Sequence, residues 1–148
     1  MPLSANDYLQ INQALFSLTH AYETRMAQDS GSLNGLSLAD CSVLMVLQQF
    51  MPMTAAQLSE IMDINPGTIS VYVQRLVLKK LVKREQDTND RRNWWLSLTD
   101  EGSAAAQVVV SSAVAYTGDF LSALDDGEQQ TLRQLLLKAS HSLGFDWQ

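Results

Sequence analysis

The chain has 148 residues, 46% hydrophobic and 18% charged, a composition that suits one compact globular domain or a core with an appended interface. No apolar run approaches the roughly 20 residues that span a bilayer, which excludes a membrane helix, and a single cysteine with only two histidines excludes a disulfide framework and a multi-cysteine or histidine-rich metal site. The net charge of −6 argues against a nucleic-acid partner until its distribution is considered.

From Tyr8 to Met26, the apolar residues Tyr8, Ile11, Leu15, Leu18, Tyr22 and Met26 recur every three or four positions, which predicts a helix. Asp29-Ser30-Gly31-Ser32 and Asn34-Gly35 break it. Ser37, with Asp40 three residues on, predicts the cap of a second helix carrying Cys41, Val43, Leu44 and Leu47, and Pro52 ends it. Thr54 with Gln57 is a second capping box, opening a short helix through Met62. Asn65-Pro66 starts another that runs to about Lys79, because proline is tolerated at the first helical position.

The period then changes. Leu81–Glu85 is short and extended in character, and Asn93–Leu98 alternates, with Trp94, Leu96 and Leu98 on one face. The polar stretch Gln86–Arg92 between them predicts a hairpin with a charged tip. Thr99 caps a long helix with Asp100 and Glu101 in its first turn, where the helix dipole favours acids. It carries Ala104, Val108, Ser112, Ala115, Phe120 and Leu124. Asp125-Asp126-Gly127 breaks it, and a last helix carries Leu132, Leu135, Leu136, Ala139 and Leu143.

A two-stranded hairpin is barely stable alone, so it must pack on the helices as a wing. The expected fold is therefore mainly α: a winged helix-turn-helix with a two-stranded β-wing at about 36–99, flanked by dimerisation helices at about 6–28 and 100–145, all in one domain over 1–148. The flanking helices have apolar faces that the small central unit cannot cover, which predicts a two-fold interface with a second copy.

Charge now takes on a different meaning. Seven of the ten basic residues lie between Arg75 and Arg92, beside three acids, a local charge of +4; the other three basic and thirteen acidic residues leave −10 elsewhere. A cationic patch on an acidic body is expected where one surface meets phosphate, the alternative being a solvated charged face. A helix-turn-helix lays its second helix in the major groove of double-stranded DNA. Here that helix starts at Asn65, and Ile69, Val73 and Leu76 should face inward. Thr68, Ser70, Val71, Tyr72, Gln74 and Arg75 should then face outward, with groups suited to base edges. Lys79, Lys80 and Arg84 add cations beside it. At the wing tip, Arg91 and Arg92 suit a narrow minor groove. Asp90 is expected to hold the tip in shape by accepting from turn amides or from Arg92.

The stretch from Leu58 to Gly102 resembles the MarR family of bacterial winged helix-turn-helix transcriptional regulators. The carrying residues are Leu58-Ser59-Glu60-Ile61, Thr68-Ile69-Ser70, Leu76, Leu81-Val82-Lys83-Arg84, Asp90-Arg91-Arg92 and Leu98-Thr99-Asp100-Glu101-Gly102. The resemblance implies a homodimer built by the first and last two helices, a recognition helix in the major groove and a wing arginine in the minor groove. It also implies release from DNA by a small ligand, commonly aromatic or phenolic, or by oxidation. One departure is plain: the family usually has glycine where this chain has Lys80. Glycine there suits a left-handed helix terminus, so Lys80 is expected at positive φ, at a cost of about 1 kcal/mol.

Other residues carry blander readings. Cys41 lies on an apolar face with nothing nearby to lower its pKa, and reads as a buried structural thiol rather than a redox sensor. His20 and His141 lack the spacing of a metal pair. Met45, Met51, Met53 and Met62 fill core gaps, or line an adaptable pocket. Trp94 should be core and Trp95 should face the opposite side. No phosphate loop, Ser/His/Asp set or metal cluster supports an enzyme, and no cofactor is expected. Asp125-Asp126 resembles an acid pair but sits where a helix cap is needed. The opening Met1–Asp7 lacks the basic and apolar segments of a secretory leader, so the protein is expected in the cytoplasm. The reading is of a DNA-binding regulator, a repressor on a palindromic operator; the rival is a winged-helix protein-interaction module, against which the Arg75–Arg92 cluster argues.

Overall fold

A computed structural model describes residues 1–29 and 35–144. The described elements are α1 (Ala5–Asp29), α2 (Leu38–Phe50), β1 (Met53–Thr54), α3 (Ala55–Met62), α4 (Pro66–Leu78), β2 (Val82–Gln86), β3 (Trp94–Leu98), α5 (Asp100–Leu121) and α6 (Asp126–Ser142). The expected break between the first two helices falls on residues 30–34, outside the described residues.

The helix starts follow from local side-chain chemistry. Ser37 and Asp40 bond each other's backbone amides at 3.1 and 3.0 Å. Thr54 and Gln57 do the same at 3.2 and 2.9 Å, and Asp125 and Glu128 at 2.9 Å both ways. Each pair satisfies two amides that the first helical turn leaves orphaned. Asp125 is thus a cap. The Asn65 side chain accepts from the Gly67 amide at 2.8 Å and Thr99 Oγ1 from the Gly102 amide at 2.9 Å.

The expected hairpin is β2–β3, in register from Val82 opposite Leu98 to Gln86 opposite Trp94. The sheet nevertheless has three strands, in the order β1-β3-β2, all antiparallel. The added strand is a by-product of capping. Thr54 must be extended to cap α3 (φ −84°, ψ 161°), and it carries Met53 alongside β3, opposite Leu96. The wing is thereby anchored to the start of α3.

The core gathers Val43, Leu44 and Leu47 of α2, Leu58 of α3, Ile69, Val73 and Leu76 of α4, Leu96 and Leu98 of β3, and Ala106 and Val109 of α5. The inward stripe expected for α4 is therefore as observed. Cys41 is buried in the same cluster, and burial pushes its thiol pKa up, with Asp40 adding to the shift. Trp94 is not core. It shares a face with Leu96 and Leu98 but is 48% exposed, at the tip end of β3 opposite Gln86. Trp95 is half-buried, and its indole N–H donates to Asp87 Oδ2 at 3.1 Å.

The flanking helices are only partly covered. α1 buries Met26, with Tyr22 half-buried and packed edge-on to Tyr116 of α5, while Tyr8, Ile11, Leu15 and Phe16 stay exposed. The face of α5 that enters the core is Gly102, Ala106 and Val109; Ala104, Val108 and Ala115 of the expected stripe remain at the surface. No residue of α6 is buried, and Leu135 and Leu136 are exposed.

Lys80 has φ 61°, in the left-handed region as expected. The Leu81 amide bonds the Leu76 carbonyl and the Lys80 amide the Val77 carbonyl, both at 3.0 Å. This is the Schellman pattern, in which the left-handed residue is ordinarily glycine. Lys80→Gly is expected to raise stability by about 0.5 kcal/mol, the relieved strain being partly offset by glycine's larger unfolded-state entropy. Urea denaturation at fixed protein concentration measures it; a loss of stability would mean that the lysine side chain contributes more than the strain removes.

Candidate nucleic-acid interface

The surface around α4 and the wing is built from two tight turns and a charged hairpin. Between α3 and α4, Asp63 adopts φ 50°, Ser59 Oγ donates to the Ile64 carbonyl at 2.5 Å, and the Ile64 amide returns to the Ser59 carbonyl at 3.1 Å. Aspartate tolerates the left-handed region better than most residues. The turn fixes where α4 starts, and so which residues its outward face presents.

With Ile69, Val73 and Leu76 buried, Ser70, Val71 and Gln74 are exposed, and Thr68 and Tyr72 are half-buried. Asn65 is exposed, its side-chain oxygen engaged in the cap. Arg75, expected to face outward, is instead turned back toward α2. Its Nε and Nη2 both donate to Asp40 Oδ1, at 2.9 and 2.7 Å, and Nη2 reaches Ser37 Oγ at 3.4 Å. Its guanidinium lies over the Tyr72 ring, 5.4 Å from the centroid. Asp40 is 1% exposed, and a buried carboxylate is stable only when paired, so it holds the arginine that reaches it. Lys79 stays exposed, its ammonium donating to the Gly35 carbonyl at 3.3 Å. Its spacing from Ser37 predicts only a capping role for Asp40. The one available signal was an acid on the apolar face of α2, beside Cys41.

Lys80 and Arg84 are exposed at the junction and on β2. Thr99 Oγ1 donates to the Lys80 carbonyl at 2.7 Å, fixing the junction to the start of α5.

The wing tip is organised by two aspartates. Asp87 Oδ1 accepts from the amides of Asn89 (2.8 Å) and Asp90 (3.4 Å), while its Oδ2 takes the Trp95 indole. These bonds, the Asn89 amide first, hold its carboxyl below the usual range. Asp90 Oδ1 accepts from the Arg92 amide and Nε, both at 3.1 Å, and its Oδ2 from Nη2 at 3.2 Å. The Arg92 side chain is the main cause of Asp90's lowered pKa. The role expected of Asp90 is the observed one. The organising role of Asp87 was missed, although an Asx turn followed by an indole donor was its signal. The Arg92 side chain is 89% exposed despite its bonds to Asp90, and Arg91 is exposed beside it, with its carbonyl held by Gln86 Nε2 at 2.7 Å.

Between α3, α4 and the wing lies a hollow of about 370 Å³ lined by Ala55, Ser70, Val73, Arg84, Trp94 and Leu96. Its walls are mainly apolar, with a guanidinium and an indole at the rim. Among the described residues, no group of three His, Cys, Asp or Glu side chains is arranged to hold a metal ion, and no helix is long and apolar enough to cross a membrane.

Residues 34–93 match the family model described as the MarR family. The HTH-type transcriptional repressor MdtR of Bacillus subtilis is 30% identical over 80% of this chain and 76% of its own length. The crystal structure of a probable transcriptional regulator from Pseudomonas aeruginosa is 29% identical, covers 87% of this chain and 96% of that one, and superposes with a TM-score of 0.73. A MarR protein from Peptoclostridium difficile, 20% identical, shares the fold at a TM-score of 0.83 over 97% of this chain and 92% of its own.

Proposed function

Because the chain belongs to the MarR family of helix-turn-helix transcriptional regulators, a family of regulators and not of enzymes, we propose that it binds double-stranded DNA as a homodimer and represses transcription from a palindromic operator. The carrying observation is the wing tip, where Arg92 stands 89% exposed yet held in direction by Asp90. A preorganised guanidinium on a projecting hairpin suits the negative potential of a narrow minor groove. Beside it, α4 turns Ser70, Val71, Tyr72 and Gln74 toward the major groove, and Thr68 and Asn65 flank the helix start. Lys80, Arg84 and Arg91 supply phosphate contacts; Arg75 and Lys79 brace the later part of the helix through Asp40 and the Gly35 carbonyl.

The uncovered apolar residues of α1 and α6 support the dimer, as a second copy would bury Ile11, Leu15, Leu135 and Leu136. Two recognition helices then meet half-sites about one helical turn apart. A dimer on a promoter excludes polymerase without further contacts, which favours repression, and the site of action is the cytoplasm. A small aromatic acid is the proposed effector. The hollow beneath Trp94 offers Arg84 for its carboxylate and an apolar wall for its ring, and a ligand there would push on α4 and the wing together. Calorimetry with salicylate tests this, and absence of heat counts against it.

The deciding experiment is fluorescence anisotropy of labelled DNA from upstream of the protein's own gene, at two salt concentrations with random DNA as competitor. Binding should survive competitor and fall steeply with salt. Arg92→Ala should weaken binding about tenfold on every sequence and flatten the salt dependence by about one ion. Unchanged binding by Arg92→Ala would remove the wing from the mechanism, and no binding at low salt would favour the protein-interaction reading.

A further inference from the structure

We propose that α4 selects A·T base pairs, with Val71 packing on a thymine 5-methyl group and Gln74 pairing with a neighbouring adenine. This rests on the DNA-binding reading and specifies what the helix reads.

Guanine in the major groove is most often read by an arginine or lysine that donates to its N7 and O6. The only cations on α4 and its cap are Arg75 and Lys79, and both are engaged within the protein. Arg75 is bound through Nε and Nη2 to Asp40, and Lys79 to the Gly35 carbonyl. Swinging Arg75 into the groove would abandon a carboxylate that is 1% exposed, a strongly unfavourable exchange. Lys79 is exposed and gives a single 3.3 Å bond, but it is the C-cap of α4, at the end that leaves the groove, so the part of the helix nearest the bases offers guanine no free cation.

Its outward stripe carries a different chemistry. Val71 and Leu78 are 57% and 76% exposed; seven residues apart, they lie on one face about 10 Å from each other along the axis. Gln74 lies between them, and all three border a shallow depression with Arg75 and Lys79. Such a face offers methyl groups and an amide. In the major groove only thymine presents a methyl group, and only adenine presents the acceptor and donor pair that a glutamine amide matches in two bonds. Val71, one turn and a half into the helix, is close enough to the N-terminus to reach base edges, whereas Leu78 lies where the helix leaves the groove.

The test begins with selection of duplexes from a random library by the full-length protein. Each thymine of the selected half-site is then replaced by deoxyuridine, which removes only the methyl group, and each adenine by 7-deazaadenine, which removes N7. One thymine should lose about fourfold in affinity as deoxyuridine, the worth of one buried methyl group, and that loss should vanish in Val71→Ala. One adenine should lose about tenfold as its 7-deaza analogue, and this should vanish in Gln74→Ala. Both side chains are exposed, so both variants keep the fold, and affinity for random DNA should not change. A selected half-site whose tight binding depends on G·C pairs under α4, or a deoxyuridine penalty that persists in Val71→Ala, would overturn the proposal while leaving DNA binding intact. Failure to select any sequence over random DNA would overturn the DNA-binding reading as well.

Discussion

Replacing Arg75 with alanine is expected to destabilise the fold by about 3 kcal/mol, because it leaves the Asp40 carboxylate buried without its partner. Asp40 accepts two bonds from Arg75, at 2.9 and 2.7 Å, and one from the Ser37 amide at 3.0 Å; only the last survives the change. The asymmetry of the pair sharpens the prediction. The Arg75 side chain is 40% exposed, so in Asp40→Asn water can replace the lost acceptor, and the cost should be nearer 1 kcal/mol. In the Asp40→Asn background, Arg75→Ala should then cost less than half of what it costs alone, since no buried charge remains to be abandoned. Urea denaturation of the four proteins at one fixed concentration gives the cycle, a precaution needed because self-association makes apparent stability concentration-dependent. Equal costs for Arg75→Ala in both backgrounds would mean that packing of the arginine stem, not its charge, holds α4 to α2.

Gly102→Ala is the second large effect. A Cβ at Gly102 would stand 1.8 Å from the Leu81 carbonyl oxygen and 2.8 Å from its carbon. Neither neighbour can retreat cheaply, since the Leu81 carbonyl accepts from the Thr99 amide at 3.0 Å and Thr99 Oγ1 holds the Lys80 carbonyl at 2.7 Å. The variant must separate α5 from the α4–wing junction, an overpacking cost of about 3 kcal/mol, the upper part of the usual range. For a chain of this size that corresponds to a fall in melting temperature of roughly 10 °C. Trp94 and Trp95 of β3 are two of the chain's three tryptophans, so its fluorescence reports whether the hairpin loosens with it. A variant that melts with the parent protein would show that the approach of the two backbones is looser than its geometry implies.

The features legible in the sequence are those set within a few residues of one another. Ser37 with Asp40, Thr54 with Gln57, Asn65 before Pro66, Thr99, and Asp125 all act on amides two or three positions ahead, so spacing alone identifies them as helix starts. The buried stripe of Ile69, Val73 and Leu76 follows from the helical period, and the Asp90–Arg92 contact from its two-residue span. The left-handed backbone at Lys80 was legible through the resemblance, since the motif marks the place where a helix must end and a strand begin.

The remaining features depend on contacts between elements far apart in the chain. Period and spacing report which face of its own element a residue occupies, and not what lies opposite that face. Trp94 lies on the expected side of β3, yet it borders an open hollow with Ala55 and Ser70 and not the core. Met53 and Thr54 became a strand because β3, some forty residues on, runs past them. Gly102 is required by a carbonyl on another element. The place of Arg75 on α4 predicts an outward side chain, and only the folded chain, which brings Asp40 to it across 35 residues, ties that cation to a carboxylate of α2. A charge is drawn to the acceptor left buried near it, and which acceptor is buried is settled by packing of the whole domain. Helix starts and the hairpin are legible because capping and period act within a few residues; which cations of the patch carry internal partners depends on contacts between distant elements, as Arg75 with Asp40 shows.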